Sequence, residues 1–193
     1  MKIGLFFGSF NPVHVGHMII ASYCAEFTDL HEVWFVPSPH NPLKQASDLW
    51  SDEKRLELLR SAVEQEKIPV KICEMEFTLP RPSYTIDTLR ALQIQHPDSQ
   101  LVVIMGADNL AGIERWKEWQ TILQNFEVYV YPRAGFNAEE LCAQYGATLI
   151  PSPIVEISST FIRKALREGK NVEAFLPKGV NARNLMCTFR PFR

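Results

Sequence analysis

A chain of 193 residues with 46% hydrophobic content is long enough to bury a full core and reads as one domain over 1–193. Its formal net charge of -2, from 20 Lys and Arg against 22 Asp and Glu, offers no general basic surface, so no nucleic-acid partner is expected. Cys24, Cys73, Cys142 and Cys187 form no Cys-x-x-Cys pair and stand at no zinc spacing, which argues against a disulfide framework or a zinc site and for buried, reduced thiols in a cytoplasmic protein. Met1 to Phe7 is too short an apolar run for a signal peptide, and no stretch approaches membrane-spanning length, so no membrane partner is expected.

Lys2 to Phe7 reads as a buried strand ending at Gly8, and His14 to Phe27 shows helical spacing through Met18, Ala21 and Ala25. Glu32 to Val36 is a second strand, closed by Pro37-Ser38-Pro39. The segment 37–51 has no periodicity and reads as a working loop. Asp52 to Glu66 is an amphipathic helix with Leu56, Leu59 and Val63 on one face. Val70 to Cys73 is a strand, and Ser83 to Gln95 a helix capped by Ser83. Leu101 to Met105 is the clearest buried strand and runs into Gly106-Ala107-Asp108. Glu127 to Tyr131, Ala138 to Tyr145 and Ala147 to Ile150 follow as strand, helix and strand. Thr160 to Arg167 is a helix behind a serine-rich entry, and a short helix is expected after Lys178. This alternation predicts an α/β, doubly wound, mostly parallel sheet with helices on both faces and a small C-terminal helical region. Such folds bind ligands beyond the carboxyl ends of their strands, where the strand order reverses.

The most informative stretch is Gly8-Ser9-Phe10-Asn11-Pro12-Val13-His14-Val15-Gly16-His17. Gly8 allows close backbone approach to a ligand, and the Asn-Pro pair fixes a turn. A helix starting near His14 presents unpaired N–H groups and a positive dipole end, which favour an anion. His14 and His17, three apart, share one side of the first turn, and Gly16 between them leaves room for a phosphate or a base. A second anion cradle opens at Glu156-Ile157-Ser158-Ser159-Thr160-Phe161-Ile162-Arg163. There Ser158 is a plausible cap, and Arg163 returns to the helix start. No Walker loop and no Gly-x-Gly-x-x-Gly fingerprint is present, which argues against a kinase-type NTPase and a dehydrogenase.

The first motif resembles the His-x-Gly-His signature of the nucleotidyltransferase superfamily, and the second resembles its Ile-Ser-Ser-Thr-x-Ile-Arg segment. Val36-Pro37…Pro42-Leu43-Lys44, Ser83-Tyr84-Thr85-Ile86-Asp87-Thr88-Leu89, Gly106-Ala107-Asp108, Trp116 with Trp119, and Pro132-Arg133 resemble the bacterial nicotinate-nucleotide adenylyltransferases. The likeness runs from the first strand to about Pro177. The loop departs from it by placing no histidine before Lys44, Asn11 stands where aspartate is commoner, and the tail from Val180 to Arg193 is rich in arginine.

The resemblance implies adenylyl transfer from ATP to nicotinate mononucleotide, a step of NAD biosynthesis. By that pattern His14, His17, Lys44 and Arg163 are catalytic. ATP would be bound by Gly8, Ser9, Phe10, Gly16, His17, Gly106, Asp108, Ile157, Ser158, Ser159, Thr160 and Arg163, with Asp108 on a ribose. The acceptor would meet Lys44, Tyr84, Thr85, Trp116 and Arg133. Mg²⁺ is expected to travel with ATP rather than in a protein cage, because it favours phosphate oxygens and water. Nicotinamide mononucleotide or another phosphorylated acceptor is the enzyme alternative, and a non-catalytic ATP sensor the alternative from another class. A pure sensor, however, has no need of the histidine pair. A relative of class I aminoacyl-tRNA synthetases is disfavoured by size and charge. Self-association is left open.

Overall fold

Period-two burial in the strands lays out the molecule, a computed structural model that describes residues 1–39, 49–182 and 185. In β1 (Lys2–Gly8), Ile3 and Leu5 face one side of the sheet and Phe6 the other. In β4 (Gln100–Gly106), Leu101, Val103 and Met105 face the first side, and Val102 and Ile104 the second. Strands apolar on both faces need cover on both, and β2 (Glu32–Pro37) and β5 (Glu127–Tyr131) follow suit, while the short edge strands β3 (Val70–Ile72) and β6 (Thr148–Leu149) expose Lys71 and Thr148. All pairings are parallel, in the order β3-β2-β1-β4-β5-β6, with β1 and β4 adjacent at the reversal of chain order.

Three helices cover the face of Phe6 and Ile104: α1 (Val15–Phe27) through Met18, Ile20 and Ala21, α2 (Asp52–Val63) through Leu58, Leu59 and Ala62, and α7 (Ser159–Arg167) through Ile162, Ala165 and Leu166. The opposite face receives α3 (Thr85–Gln95), α4 (Ala107–Leu110), α5 (Trp119–Asn125) and α6 (Ala138–Tyr145), through Leu89, Leu110, Ile122 and Cys142 among others. Ser51 caps α2 by accepting from Lys54 N–H at 3.3 Å, and Asp52 and Glu53 suit the positive end of that helix.

Several expectations are corrected. The second helix stops at Val63 rather than Glu66. Ser83 is not a cap: Tyr84 takes that place without a side-chain bond, and Ser83 is buried beside the Glu76 carboxyl. Trp116 closes a 3-10 turn, and Trp119 begins α5. Helices α4 and α5 are additions to the expected elements. Residues 40–48, including Lys44, and most of the tail lie outside the described residues, as does most of the helix expected after Lys178. Cys24, Cys73 and Cys142 are free thiols. Among the described residues, no helix is long and apolar enough to cross a membrane.

Ile104 is 1% exposed on a central strand. Ile104→Ala is expected to cost about 2–5 kcal/mol, read as a lower denaturation midpoint with an unchanged slope. An unchanged midpoint would show that this face is not the packed core.

Candidate active site

A cavity of about 500 Å³ opens over the carboxyl ends of β1, β4 and β5, at the reversal in strand order. The loop from β1 to α1 forms its first wall. Phe10 takes a left-handed conformation (φ 43°), and its ring, 2% exposed, sits edge-on to His17 at 5.0 Å and Phe35 at 5.3 Å. A methyl group on Gly8 would lie 2.9 Å from that ring, so this glycine makes room for Phe10. On Gly16 it would lie 2.9 Å from His14 Nδ1 and 3.0 Å from Val155, so this one makes room for the His14 ring. Both glycines thus fit neighbouring side chains closely and line the cavity.

His14 is the N-cap residue of α1, and its ring stacks on His17 with centroids 3.6 Å apart and planes 24° apart. The His14 backbone N–H donates to His17 Nδ1 at 3.2 Å. An accepting Nδ1 carries no proton, so the proton of the His17 ring lies on Nε2, where it can be donated. Burial of His14, and then the nearby Arg133 charge, push its pKa down from 6.5 to about 4. At neutral pH it is therefore an uncharged donor rather than a cation.

The start of α7 forms the second wall. Ser158 caps it by accepting from Phe161 N–H at 3.1 Å, as its sequence position predicts. Ser159 Oγ donates to the Pro12 carbonyl at 2.9 Å. Arg163, largely buried, donates through Nη1 to the Asn11 carbonyl at 2.8 Å and through Nη2 to Thr160 Oγ1 at 3.4 Å. Two helix amino termini thus meet on the Asn11–Pro12 carbonyls, with their positive ends on one cavity. The third wall carries Asp108 and Asn109 from α4 and Tyr131, Pro132 and Arg133 at the end of β5. Arg133 Nε lies 3.7 Å from Asp108 Oδ1, an ion pair without a hydrogen bond, and Arg133 Nη1 donates to the Val155 carbonyl at 3.1 Å.

The cavity brings together Gly8, Ser9, Phe10, His14, Gly16, His17, Asp108, Arg133, Ile157, Ser158, Ser159, Thr160 and Arg163 of the expected residues. Gly106 lies beneath Asp108 and Arg133 rather than on the lining. Tyr84, Thr85 and Trp116 are also outside it. Tyr84 and Trp116 flank the apolar cluster of the opposite face, and the Lys117 ammonium sits 5.0 Å from the Tyr84 ring. Phe7 belongs to both places, lining the cavity and packing on that cluster. Asn109, Tyr131 and Val155 line the cavity without being expected from the sequence. The strand-end rule, applied to β5 as well as β1, would have found Tyr131.

A fold of this order with an anion cradle at its switch point is that of a nucleotide-binding α/β enzyme. The model of the family described as Cytidylyltransferase-like matches residues 5–165. A probable nicotinate-nucleotide adenylyltransferase of Flavobacterium johnsoniae is 47% identical over 182 residues, covering 93% of this chain and 94% of its own. One of the same name in Bacteroides fragilis is 44% identical over 97% of this chain and 92% of its own. The structure of Plasmodium falciparum nicotinic acid mononucleotide adenylyltransferase complexed with NaAD shares the fold. Its TM-score is 0.78 at 18% identity, over 91% of this chain and 90% of that one. The chain belongs to the cytidylyltransferase-like family and, within it, to the nicotinate-nucleotide adenylyltransferases.

Folded His14 holds its proton less tightly than an unfolded histidine, so its contribution makes stability rise with pH between about 4 and 6.5 and stay level above. His14→Asn should therefore remove about 2 kcal/mol of the stability that the wild type loses between pH 7 and pH 5. Thermal denaturation at both pH values checks this, and equal losses in the two proteins contradict a buried neutral ring.

Proposed function

We propose that this protein transfers the adenylyl group of ATP to nicotinate mononucleotide, giving nicotinate adenine dinucleotide and pyrophosphate. The observation that carries the reading is the meeting of two helix amino termini, a stacked histidine pair and Arg163 in one cavity, in a chain 47% identical to a relative of that name.

In this reading an oxygen of the acceptor phosphate attacks the α-phosphorus of ATP in line. The bond from that phosphorus to the β-bridging oxygen breaks, and pyrophosphate leaves with the electron pair. A phosphate monoester is already ionised at neutral pH, so no general base is needed. What remains for the protein is alignment and charge stabilisation. His17 Nε2–H and the neutral His14 ring supply fixed donors, while Arg163, Arg133 and the helix starts offset repulsion between the two anions. Lys44 is assigned to phosphate through the family pattern. Asp108 is assigned to a ribose hydroxyl. Because Phe7 joins the cavity to the Tyr84 and Trp116 cluster, the pyridine ring of the acceptor is assigned to that edge, with Thr85 beside it.

Mg²⁺ enters as the ion carried by ATP, and it would neutralise charge on the phosphates. Among the described residues no three His, Cys, Asp or Glu side chains gather to hold a metal, and Asp108 is the one carboxylate lining the cavity. Phosphate oxygens and water are therefore its assigned ligands. The free thiols of Cys24, Cys73 and Cys142 fit a cytoplasmic enzyme.

Loss of one donor to a developing charge costs about 10²–10³ in rate, so His17→Ala should lower kcat by about that factor. ATP affinity, measured by calorimetry, should change much less. A variant with wild-type kcat contradicts the role assigned to the pair.

A further inference from the structure

We infer that Arg55 is a positioning residue, one that sets the spacing between the nucleotide loop at Ser9–Asn11 and the two chain segments flanking residues 40–48. The proposal rests on the adenylyl-transfer reading and extends it to a side chain outside the cavity.

Arg55 lies on the first turns of α2 and is 0% exposed. A guanidinium has five N–H donors in a rigid plane, and all five have an acceptor here. Nε donates to the Trp50 carbonyl at 3.2 Å. Nη1 donates to two carbonyls, Ser9 at 2.7 Å and Ser38 at 2.8 Å, and Nη2 donates to Pro39 at 3.3 Å and to Asp52 Oδ1 at 2.6 Å. Asp52 in turn accepts from Arg81 at 2.8 Å. Four of the five acceptors are thus backbone carbonyls, drawn from three separate segments: the exit of β1, the exit of β2 and the entry to α2. Two further bonds cross between the same segments, from Trp50 N–H to Asn11 Oδ1 at 3.1 Å and from Ser38 N–H to the Gly8 carbonyl at 2.9 Å.

Packing alone does not call for this arrangement. An apolar side chain of similar volume could fill the space but would take the donor away from four backbone carbonyls, whereas a buried cation must have its own desolvation offset by every bond it makes. A guanidinium does what an apolar group cannot: one nitrogen, Nη1, ties the nucleotide loop to the exit of β2. Transfer between two bound substrates depends on that kind of spacing, since a misplacement of about 1 Å costs about 10² in rate.

The test is Arg55→Lys, which keeps the charge but cannot span five acceptors. Assayed well below its own melting temperature, it should lose about 10² in kcat while the calorimetric Kd for Mg-ATP changes by less than about tenfold. Amide exchange at Ser9, Phe10 and Ser38 should quicken. Asp52→Ala leaves Arg55 in place and removes the Oδ1 acceptor, so it should show the same two effects at smaller size. Wild-type kcat and unchanged exchange in folded Arg55→Lys would overturn the proposal. If Arg55→Lys does not fold, the same outcome in Asp52→Ala overturns it. Wild-type protein that forms no dinucleotide would instead sink the adenylyl-transfer reading, while the exchange data would still report on the tie.

Discussion

Like charges must be held close together for this chemistry, and the molecule answers with two helix starts aimed at one point. Ser159 and Pro12 are 147 residues apart in sequence, yet a 2.9 Å hydrogen bond joins them, and Arg163 adds a second tie to Asn11. Those contacts hold the first turn of α7 against the loop that precedes α1. The amino-terminal N–H groups and dipole ends of both helices then act on the same volume. Because Arg163 and Ser159 bond to the loop itself, the anion cradle and the fold's closure are one feature. Damage to either would be felt in both.

The parallel sheet makes this meeting possible. With β1 and β4 adjacent and their connections running to opposite sides, a crevice is left at their carboxyl ends, and loops from β1, β4 and β5 all open into it. Apolar side chains on both faces of the sheet keep the strands rigid, so the loops start from fixed points. Phe10 shows how that rigidity reaches the site. Its ring packs on Phe6 and Phe35 below and on His17 above, so a core contact orients a residue of the cavity.

Much of this is legible in the sequence, for physical reasons that differ by element. Strands buried on both faces read as continuous apolar runs, so β1, β2, β4 and β5 stand out. The Ser158 cap is legible because its hydroxyl acts within its own turn. Helices α4 and α5 are not, since four and seven residues are too few for a helical period to show against the propensity background. Ser83 misleads because its side chain is buried beside the Glu76 carboxyl, one residue ahead of the Tyr84 that takes the cap position. Arg55 is hidden most completely. Within Asp52-Glu53-Lys54-Arg55 it looks like one more solvated charge on a helix start, and its carbonyl acceptors carry no side-chain signature. Likewise nothing in the spacing of Tyr84, Thr85 and Trp116 reveals that they sit apart from the histidines, with Phe7 between.

The central claim is a choice of acceptor as well as a reaction, and one experiment addresses both. Purified protein is incubated with Mg-ATP and either nicotinate mononucleotide or nicotinamide mononucleotide, and the products are separated by chromatography. The account predicts nicotinate adenine dinucleotide and pyrophosphate in equal amounts, formed much faster than NAD from the amide. Faster NAD formation would contradict the assigned acceptor, and absence of both dinucleotides alongside measurable ATP binding would contradict adenylyl transfer to pyridine mononucleotides altogether.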